Sequence, residues 1–331
     1  MSKEFTFFLH KFAPMNTELV IEAYSPKRKA EWDAFVDASR NATFLLRRDY
    51  MDYHSDRFKD CSLLISRGDK IIALLPASAH GREVRSHGGL TYGGLICGYG
   101  SDFSASTAVD LFNEIKAHYK SLGFTSMLYK PIPHIYHKYP AEEDLYALFR
   151  YCAQIEECNI SSTIDLTCPI RFNSTRRRQI RKYSKTGITI REESDFNGFW
   201  NILTKLLQER HNTTPVHSLT EITHLHGLFP ENIKLYCAYD AAGQLLAGTV
   251  IYLCEQCAHC QYIATTEAGR QQGALAIIYD HIINNCCEGM RYFDFGTSNE
   301  DHGRYLNEGL LAQKNGMGGR GIAYPIYRIK F

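Results

Sequence analysis

Hydrophobic positions along the chain switch repeatedly between a period of two and a period near 3.6, which predicts alternating strands and helices. In the first half the pattern predicts strands at 18–23, 61–66, 71–77 and 125–130, and helices at 27–40, 105–122 and 141–152. Trp32, Phe35 and Val36 share one face of the first helix. Gly68-Asp69 marks the turn of an antiparallel pair, and Gly123 ends the long helix. In the second half, strands are predicted at 160–166, 188–192, 233–239, 244–253, 258–266, 291–295 and 322–330. The helices there are 175–185, 196–210 and 274–288, and Ala242-Gly243 closes a hairpin. The helix at 274–288 is apolar nearly all round (Leu275, Ala276, Ile277, Ile278, Ile282, Ile283), so it must be buried against a sheet.

The same rhythm in two halves of similar length predicts a duplicated α/β fold with mixed sheets. No low-complexity linker separates the halves, so the boundary near residue 158 is expected to be a close junction. The length of 331 residues fits two ordinary domains. A second methionine, Met15, precedes the first strand, and residues 1–14 are expected to be an extension of little structural consequence.

Charge changes the picture locally. The net charge is only +1, and the two halves carry 19 Lys and Arg against 20 Asp and Glu, then 18 against 16. Neither half has the strongly basic balance of a dedicated nucleic-acid binder. Yet NSTRRRQIRKYSK, residues 173–185, holds Arg176, Arg177, Arg178, Arg181, Lys182 and Lys185. Such a helix grips a diphosphate or an RNA backbone, or else is a solvated face paired with Glu192, Glu193 or Asp195. The eleven cysteines follow no regular framework. The apolar run at 5–9 is too short for a signal peptide, and no run approaches the roughly 18 apolar residues of a membrane span. A reduced, cytosolic chain is expected.

The segment 258–296 carries the most candidate chemistry. A strand runs into a turn where Gly269 and Gly273 bracket Arg270-Gln271-Gln272, then into a helix. That arrangement places free backbone N–H groups and the positive end of a helix dipole at one point, a generic anion site. The alternative is a tight turn with no ligand. Cys254, Cys257 and Cys260 with His259 look like a metal knuckle, but no second ligand pair exists, so no metal is expected. HIYHKYP (134–140) is a loop between prolines whose histidines line substrate or whose tyrosines simply pack it. HGGLTYGG lacks the GK[ST] of a P-loop, and no G-x-S-x-G elbow occurs.

R-x-x-G-A at 270–274, between a strand and a helix, resembles the acyl-CoA-binding core of GNAT N-acyltransferases, with Leu275 where a small residue is usual. The wider pattern resembles the FemAB branch, whose members carry two GNAT-like domains in tandem. The stretches that carry it are HGGLTYGGLIC (87–97), YKPIPHIYHKYPAEEDLYALF (129–149), TRRRQIRKYSK (175–185), AHCQYIATT (258–266) and FDFGTSNEDHGRYLNEGLLAQKNG (293–316). The resemblance implies two tandem GNAT-like domains, 1–158 and 159–331, with a cleft between them and the last strand, 322–330, packed back on the first. The region 205–232 is too short for the long helical arm of some members, so a compact form is implied.

The resemblance further implies an N-acyl- or aminoacyltransferase acting on an amine of a phosphorylated, small or lipid-linked, cell-envelope precursor related to peptidoglycan or polysaccharide. The cosubstrate is an acyl-CoA or an aminoacyl-tRNA, of which only the acceptor end need be held, and there is no resident cofactor. Lys314 matches a lysine placed to stabilise an oxyanion, with Tyr305 and Asn307 orienting substrate. Arg176, Arg178, Arg181 and Lys182 would hold phosphate, with Tyr92, Lys130, His134, Tyr136, Gln261 and Asn299 lining the substrate site. Arg270, Gly273 and Ala274 would hold a donor phosphate. Two rivals stay open: an acyl-CoA-dependent N-acetyltransferase with no RNA partner, and a non-catalytic nucleotide- or RNA-binding protein on a decayed GNAT fold.

Overall fold

A computed structural model describes residues 18–331, so the expectation for residues 1–14 lies outside the described residues. The first half runs β1 (Leu19–Ala23), α1 (Lys29–Asp37), α2 (Arg48–Met51), β2 (Lys59–Asp60), β3 (Leu63–Arg67), β4 (Lys70–Leu75), β5 (Ser78–His80), β6 (Glu83–Arg85), β7 (Ile96–Cys97), α3 (Ala105–Ser121), β8 (Ser126–Tyr129) and α4 (Glu143–Arg150). The second runs β9 (Gln154–Asp165), α5 (Ser174–Tyr183), β10 (Thr189–Glu193), α6 (Asn197–His211), α7 (Leu219–Leu228), β11 (Ile233–Tyr239), β12 (Leu245–Leu253), β13 (Cys257–Thr265), α8 (Glu267–Gln271), α9 (Ala274–Asn285), β14 (Tyr292–Thr297), β15 (Asn299–Glu300), β16 (Tyr305–Leu306), α10 (Glu308–Gly316) and β17 (Arg320–Lys330).

One eleven-stranded sheet, in the order β10-β11-β12-β13-β14-β9-β17-β8-β6-β5-β2, runs through both halves. A four-stranded sheet, β1-β3-β4-β7, packs in the first half. Each half contributes one parallel pair to the long sheet, β6 with β8 and β13 with β14. β17 lies between β9 and β8, pairing Tyr327–Lys330 with Ser126–Tyr129. β9 is longer than its own alternation predicts, because β17 pairs with it from Gln154 onward and supplies partners for a polar stretch.

The halves share a core. Phe44 of the first half packs at a tilt against Phe229 and edge-on against Tyr252 of the second, with centroids 5.3 and 5.4 Å apart, and the Tyr50 and Tyr252 hydroxyls meet at 3.2 Å. α9 buries Ile278 and Ile282 completely against β11 and β12, as its all-round apolar pattern requires. Each such side chain contributes about 1.5–3 kcal/mol. The helix α7 departs from the predicted pattern. It is started by a capping box in which Ser218 Oγ accepts from Glu221 N and Glu221 accepts from Ser218 N. Among the described residues no helix is long and apolar enough to cross a membrane.

Candidate functional site

β13 and β14 are parallel partners for only three residue pairs: Cys257 with Tyr292, Ala258 with Phe293, and His259 with Asp294. Beyond these the strands part. The cause lies in β14, whose register against β9 breaks between Asp294 and Thr297, where Gly296 takes φ +78°. A side chain rarely adopts that conformation, so glycine permits the kink. Between the parted strands opens a cleft of about 610 Å³, walled by Cys260–Ile263 of β13 and Phe295–Thr297 of β14. α6, the loop 213–216, α10 and Tyr324 complete it, and among the described residues of the first half only Thr91 reaches it. This cleft lies almost wholly within the second half, because it is made by the divergence of two neighbouring strands, and separate grooves are lined by both halves.

Lys314 enters this cleft from α10 and is 4% exposed. Its Nζ donates to the carbonyls of Gly296, at 2.9 Å, and Thr297, at 2.6 Å. Among the described residues no carboxylate lies within ion-pair distance of it. Burial pushes its pKa down to about 8, against smaller opposing effects of Cys260 and Asp294. An ammonium so held is a donor fixed beside the kinked strand end.

At the last paired step of the strands sits Asp294, fully buried. Its Oδ1 accepts from Ser161, at 2.5 Å, and Thr163, at 2.8 Å, both on the neighbouring β9. Its Oδ2 accepts from His259 Nδ1 at 2.8 Å, Tyr324 OH at 3.0 Å and Tyr136 OH at 3.3 Å. Burial works to raise its pKa, but these hydrogen bonds, His259's foremost, outweigh it and hold the carboxyl below its usual value. His259 lines the cleft, with a side chain 13% exposed. Its Nδ1 faces Asp294 and Tyr136, and among the described residues nothing hydrogen-bonds its Nε2.

Of the residues expected from sequence, Lys314 and Gln261 line the cleft. Tyr136 is buried behind it, against Asp294 and His259, and does not line it. Asn307 caps α10, its Oδ1 accepting from Leu310 N at 3.0 Å, and its amide nitrogen reaches Glu300. Asn299 accepts from Ile160 N at 2.6 Å and ties its turn to β9. Tyr305 is exposed on β16, outside the cleft lining. Tyr92 is a core residue bonded to Thr43 at 2.9 Å, and its neighbour Thr91 is the one in the cleft. Lys130 donates to Leu90 O, and burial lowers its pKa to about 8. His134 stands edge-on to Tyr292 in a separate groove of about 490 Å³ with His137, Arg291 and Tyr139.

The expected free N–H groups at 269–273 are engaged. Gly269 N donates to Thr266 Oγ1 at 3.0 Å as the cap of α8, and Arg270, Gln272 and Gly273 donate to Thr266, Ala268 and Arg270 carbonyls. Arg270 pairs with Glu267. Gly273, at φ +63°, begins α9, and a Cβ built on it would lie 3.5 Å from Gln179 and 3.8 Å from Tyr183 of α5. The buried Ala274 and its neighbour Leu275 remain as the first-turn donors of α9.

On α5, Arg178, Arg181 and Lys182 are exposed and Arg176 is half-buried, and among the described residues no carboxylate pairs with any of the four. Desolvation lowers the pKa of Arg176, whose Nη1 donates to Gln179 at 2.9 Å. The acidic residues once available as partners are taken elsewhere: Glu192 by Lys234, Glu193 by Tyr239 and Asp195 by Asn197. α5 is tied to α10 through Asn173 N to Gly316 O at 2.8 Å, two residues beyond Lys314.

Of the cysteines, Cys254, Cys257 and Cys260 are buried and fill space, while Cys152, Cys158 and Cys168 are exposed. Cys254 and Cys257 close the β12–β13 turn through reciprocal backbone bonds, Cys260 contacts Thr249 and Tyr279, and all eleven are free thiols. His259, Asp294 and Tyr324 were not legible as a group. The available signal was a polar residue inside an apolar strand on each side of one β–α–β unit, A-H-C and F-D-F, since a buried charge needs a partner.

Residues 171–304 match the family described as an acetyltransferase (GNAT) domain. No curated protein matches the chain in sequence. Among solved structures the chain is similar to FemX, at 12% identity and a TM-score of 0.66 over 94% of this chain and 97% of that one. It is also similar to the C-terminal domain of a protein from Agrobacterium fabrum assigned as a lysylphosphatidylglycerol synthetase, at 13% identity and a TM-score of 0.62 over 92% of each chain. A tandem GNAT protein from the clavulanic acid biosynthesis pathway aligns at 9% identity and a TM-score of 0.50, over 95% of this chain and 98% of that one. Residues 171–304 thus form an acetyltransferase (GNAT) domain, and the chain has the fold of FemX along nearly its whole length.

Proposed function

We propose that the chain is an N-acyl- or aminoacyltransferase that moves an acyl group from an activated ester to an amine of a phosphorylated cell-envelope precursor. The observation that carries this reading is the parting of β13 and β14 around the Lys314 ammonium. An acyl ester entering between the strands meets a fixed cation where negative charge develops on its carbonyl oxygen. The walls supply positioning, which is most of what aminolysis of an activated ester needs.

The donor reading favours an aminoacyl ester of tRNA over acyl-CoA. A CoA diphosphate would use the N–H groups leading into α9, but those of 269, 270, 272 and 273 are engaged, which leaves only the two first-turn donors Ala274 and Leu275, and α5 packs over Gly273. The unpaired cations of α5, tied to the helix that bears Lys314, support a phosphorylated acceptor beside the cleft. FemX and the synthetase domain give precedent for the fold alone. The reaction is read as cytoplasmic, with the donor as cosubstrate and no resident cofactor.

The test offers the protein bulk tRNA charged with radiolabelled amino acids, or labelled acetyl-CoA, together with a nucleotide-linked or lipid-linked peptidoglycan precursor bearing a free amine. Label moving from tRNA to the precursor supports the reading. Transfer from acetyl-CoA alone overturns the donor assignment, and no transfer from either overturns the function.

A further inference from the structure

Aminolysis also needs a place for a proton. An attacking amine must lose one as the N–C bond forms, and the leaving oxygen must gain one. Lys314 is a donor already bonded to two carbonyls and serves the oxyanion, so it does not supply this.

His259 has the geometry for it. The acceptor Asp294 fixes Nδ1 as the protonated nitrogen, which leaves Nε2 as the nitrogen with a lone pair. The His259 side chain stands in the cleft wall, adjacent in β13 to Cys260 and Gln261. Asp294 cannot turn away, because Ser161, Thr163, Tyr136 and Tyr324 hold both its oxygens. The kinked strand comes close on the other side: a Cβ on Gly296 would lie 3.6 Å from His259 Cε1. The same residue's carbonyl receives Lys314 Nζ. The imidazole and the ammonium therefore both border Gly296 and line the same cleft.

We infer that His259 is the general base of the transfer, held in its working tautomer by Asp294 with Tyr136 and Tyr324 as positioning residues. This rests on the acyl-transfer reading above. His259 Nε2 takes the proton from the amine nitrogen as that nitrogen bonds to the acyl carbon. The carbonyl electron pair moves to oxygen, next to Lys314. When the intermediate collapses, the pair returns, the ester C–O bond breaks, and the departing oxygen takes the proton from Nε2. The products are an amide and an alcohol, and His259 is restored. Asp294 stabilises the transient imidazolium without itself being protonated. The charged and titratable groups around the ring are Asp294 on β14, Tyr136 in the turn His134–Tyr136, Tyr324 on β17, and Lys314 on α10, with Cys257 and Cys260 on its own strand.

The experiment uses p-nitrophenyl acetate as acyl ester and glycinamide as amine, followed from pH 5 to 9 for wild type, His259→Gln, Tyr324→Phe and Lys314→Met. In parallel, diethyl pyrocarbonate labelling of His259 is timed by mass spectrometry, and ¹⁵N-histidine spectra report the ring tautomer. Wild type should show a rate that rises with pH on its acid side. His259→Gln should lose on the order of 10²-fold together with that acid limb. The labelled nitrogen should be Nε2 and the protonated one Nδ1. The inference is overturned if Lys314→Met slows aminolysis while His259→Gln keeps both rate and acid limb. It is also overturned if the spectra place the proton on Nε2. If wild type does not accelerate this aminolysis, labelling and tautomer decide: an unlabelled or Nε2-protonated His259 refutes it, and a rapidly labelled Nε2 supports it. Failure of transfer from tRNA and CoA would leave these ring measurements standing, so the two failures are distinguishable.

Discussion

The basic helix α5 and the buried Asp294 hub are opposite ways of placing charge. α5 gathers five cations in ten residues, with Lys185 just beyond its end, and among the described residues no carboxylate pairs with the four candidate phosphate ligands. The hub buries one carboxylate under five hydrogen bonds drawn from β9, β13, β17 and the turn before α4. The helix is conspicuous in sequence and energetically slight, since exposed charges interact weakly through water. The hub is one aspartate in an apolar strand, yet the fold is arranged around it. Density of charge along a chain need not mark where the fold depends on charge, whereas burial does.

The largest effect should follow from removing the hub. Asp294→Ala leaves the hydroxyls of Ser161, Thr163 and Tyr324 without their acceptor, and the loss should be about 3–5 kcal/mol in urea unfolding. The sign of its pH dependence is set by a folded-state pKa below the unfolded one. Its contribution is full above the unfolded carboxylate value near ~4 and disappears as pH falls through the lower, folded value. Loss of less than about 1 kcal/mol would break the contrast with α5.

Next comes Lys314→Met, which should separate activity from stability. Acyl transfer should fall by about 10²–10³-fold, as for a lost oxyanion donor. The folded protein should be no less stable at neutral pH, because the buried ammonium is costly. With a folded pKa of about 8 against an ordinary value of 10.5, the unfolded chain holds the proton more tightly between those values. Wild type should therefore gain stability relative to Lys314→Met as pH rises from about 8 to 10.5. Melting curves for both proteins across that window check the sign.

Much of the fold was readable before any of this. The helix at Ala105–Ser121, the hairpin of β11 and β12, and the apolar helix α9 all announce themselves through local period and turn residues. What was not readable came from pairing at long range. β9 begins at Gln154 because β17, more than 160 residues later, runs beside it. The cleft arises from a kink at Gly296 that no alternation reveals. Lys314 and Gln261, singled out in sequence, line the cleft, whereas Asn299 and Asn307, which have the Asn-rich look of a substrate loop, form a backbone tie and a cap. Glycine was misleading at 269, where a Cβ would lie 2.2 Å from Leu246 O: close packing of α8 on β12 requires it, not a phosphate.

A smaller effect is expected at Gly273, whose φ of +63° strains any side chain. Gly273→Ala should cost about 1 kcal/mol in stability. The smallest effect on stability should come from Arg178→Ala with Lys182→Ala, within about 0.5 kcal/mol. These substitutions should instead weaken binding of a nucleotide-linked precursor, with a shallow salt dependence. Tight tRNA binding with a log–log salt slope near about 5, abolished by the same pair, would make α5 an RNA contact instead.

The central claim is that acyl transfer occurs where β13 and β14 part, at Lys314. The most direct measurement is single-turnover transfer of radiolabelled amino acid from bulk charged tRNA to a nucleotide-linked peptidoglycan precursor, comparing wild type with Lys314→Met at equal, verified folding. The account predicts labelled precursor from wild type and a rate lower by about 10²-fold or more from the variant. Equal rates from the two proteins, or no labelled precursor from wild type, would contradict it.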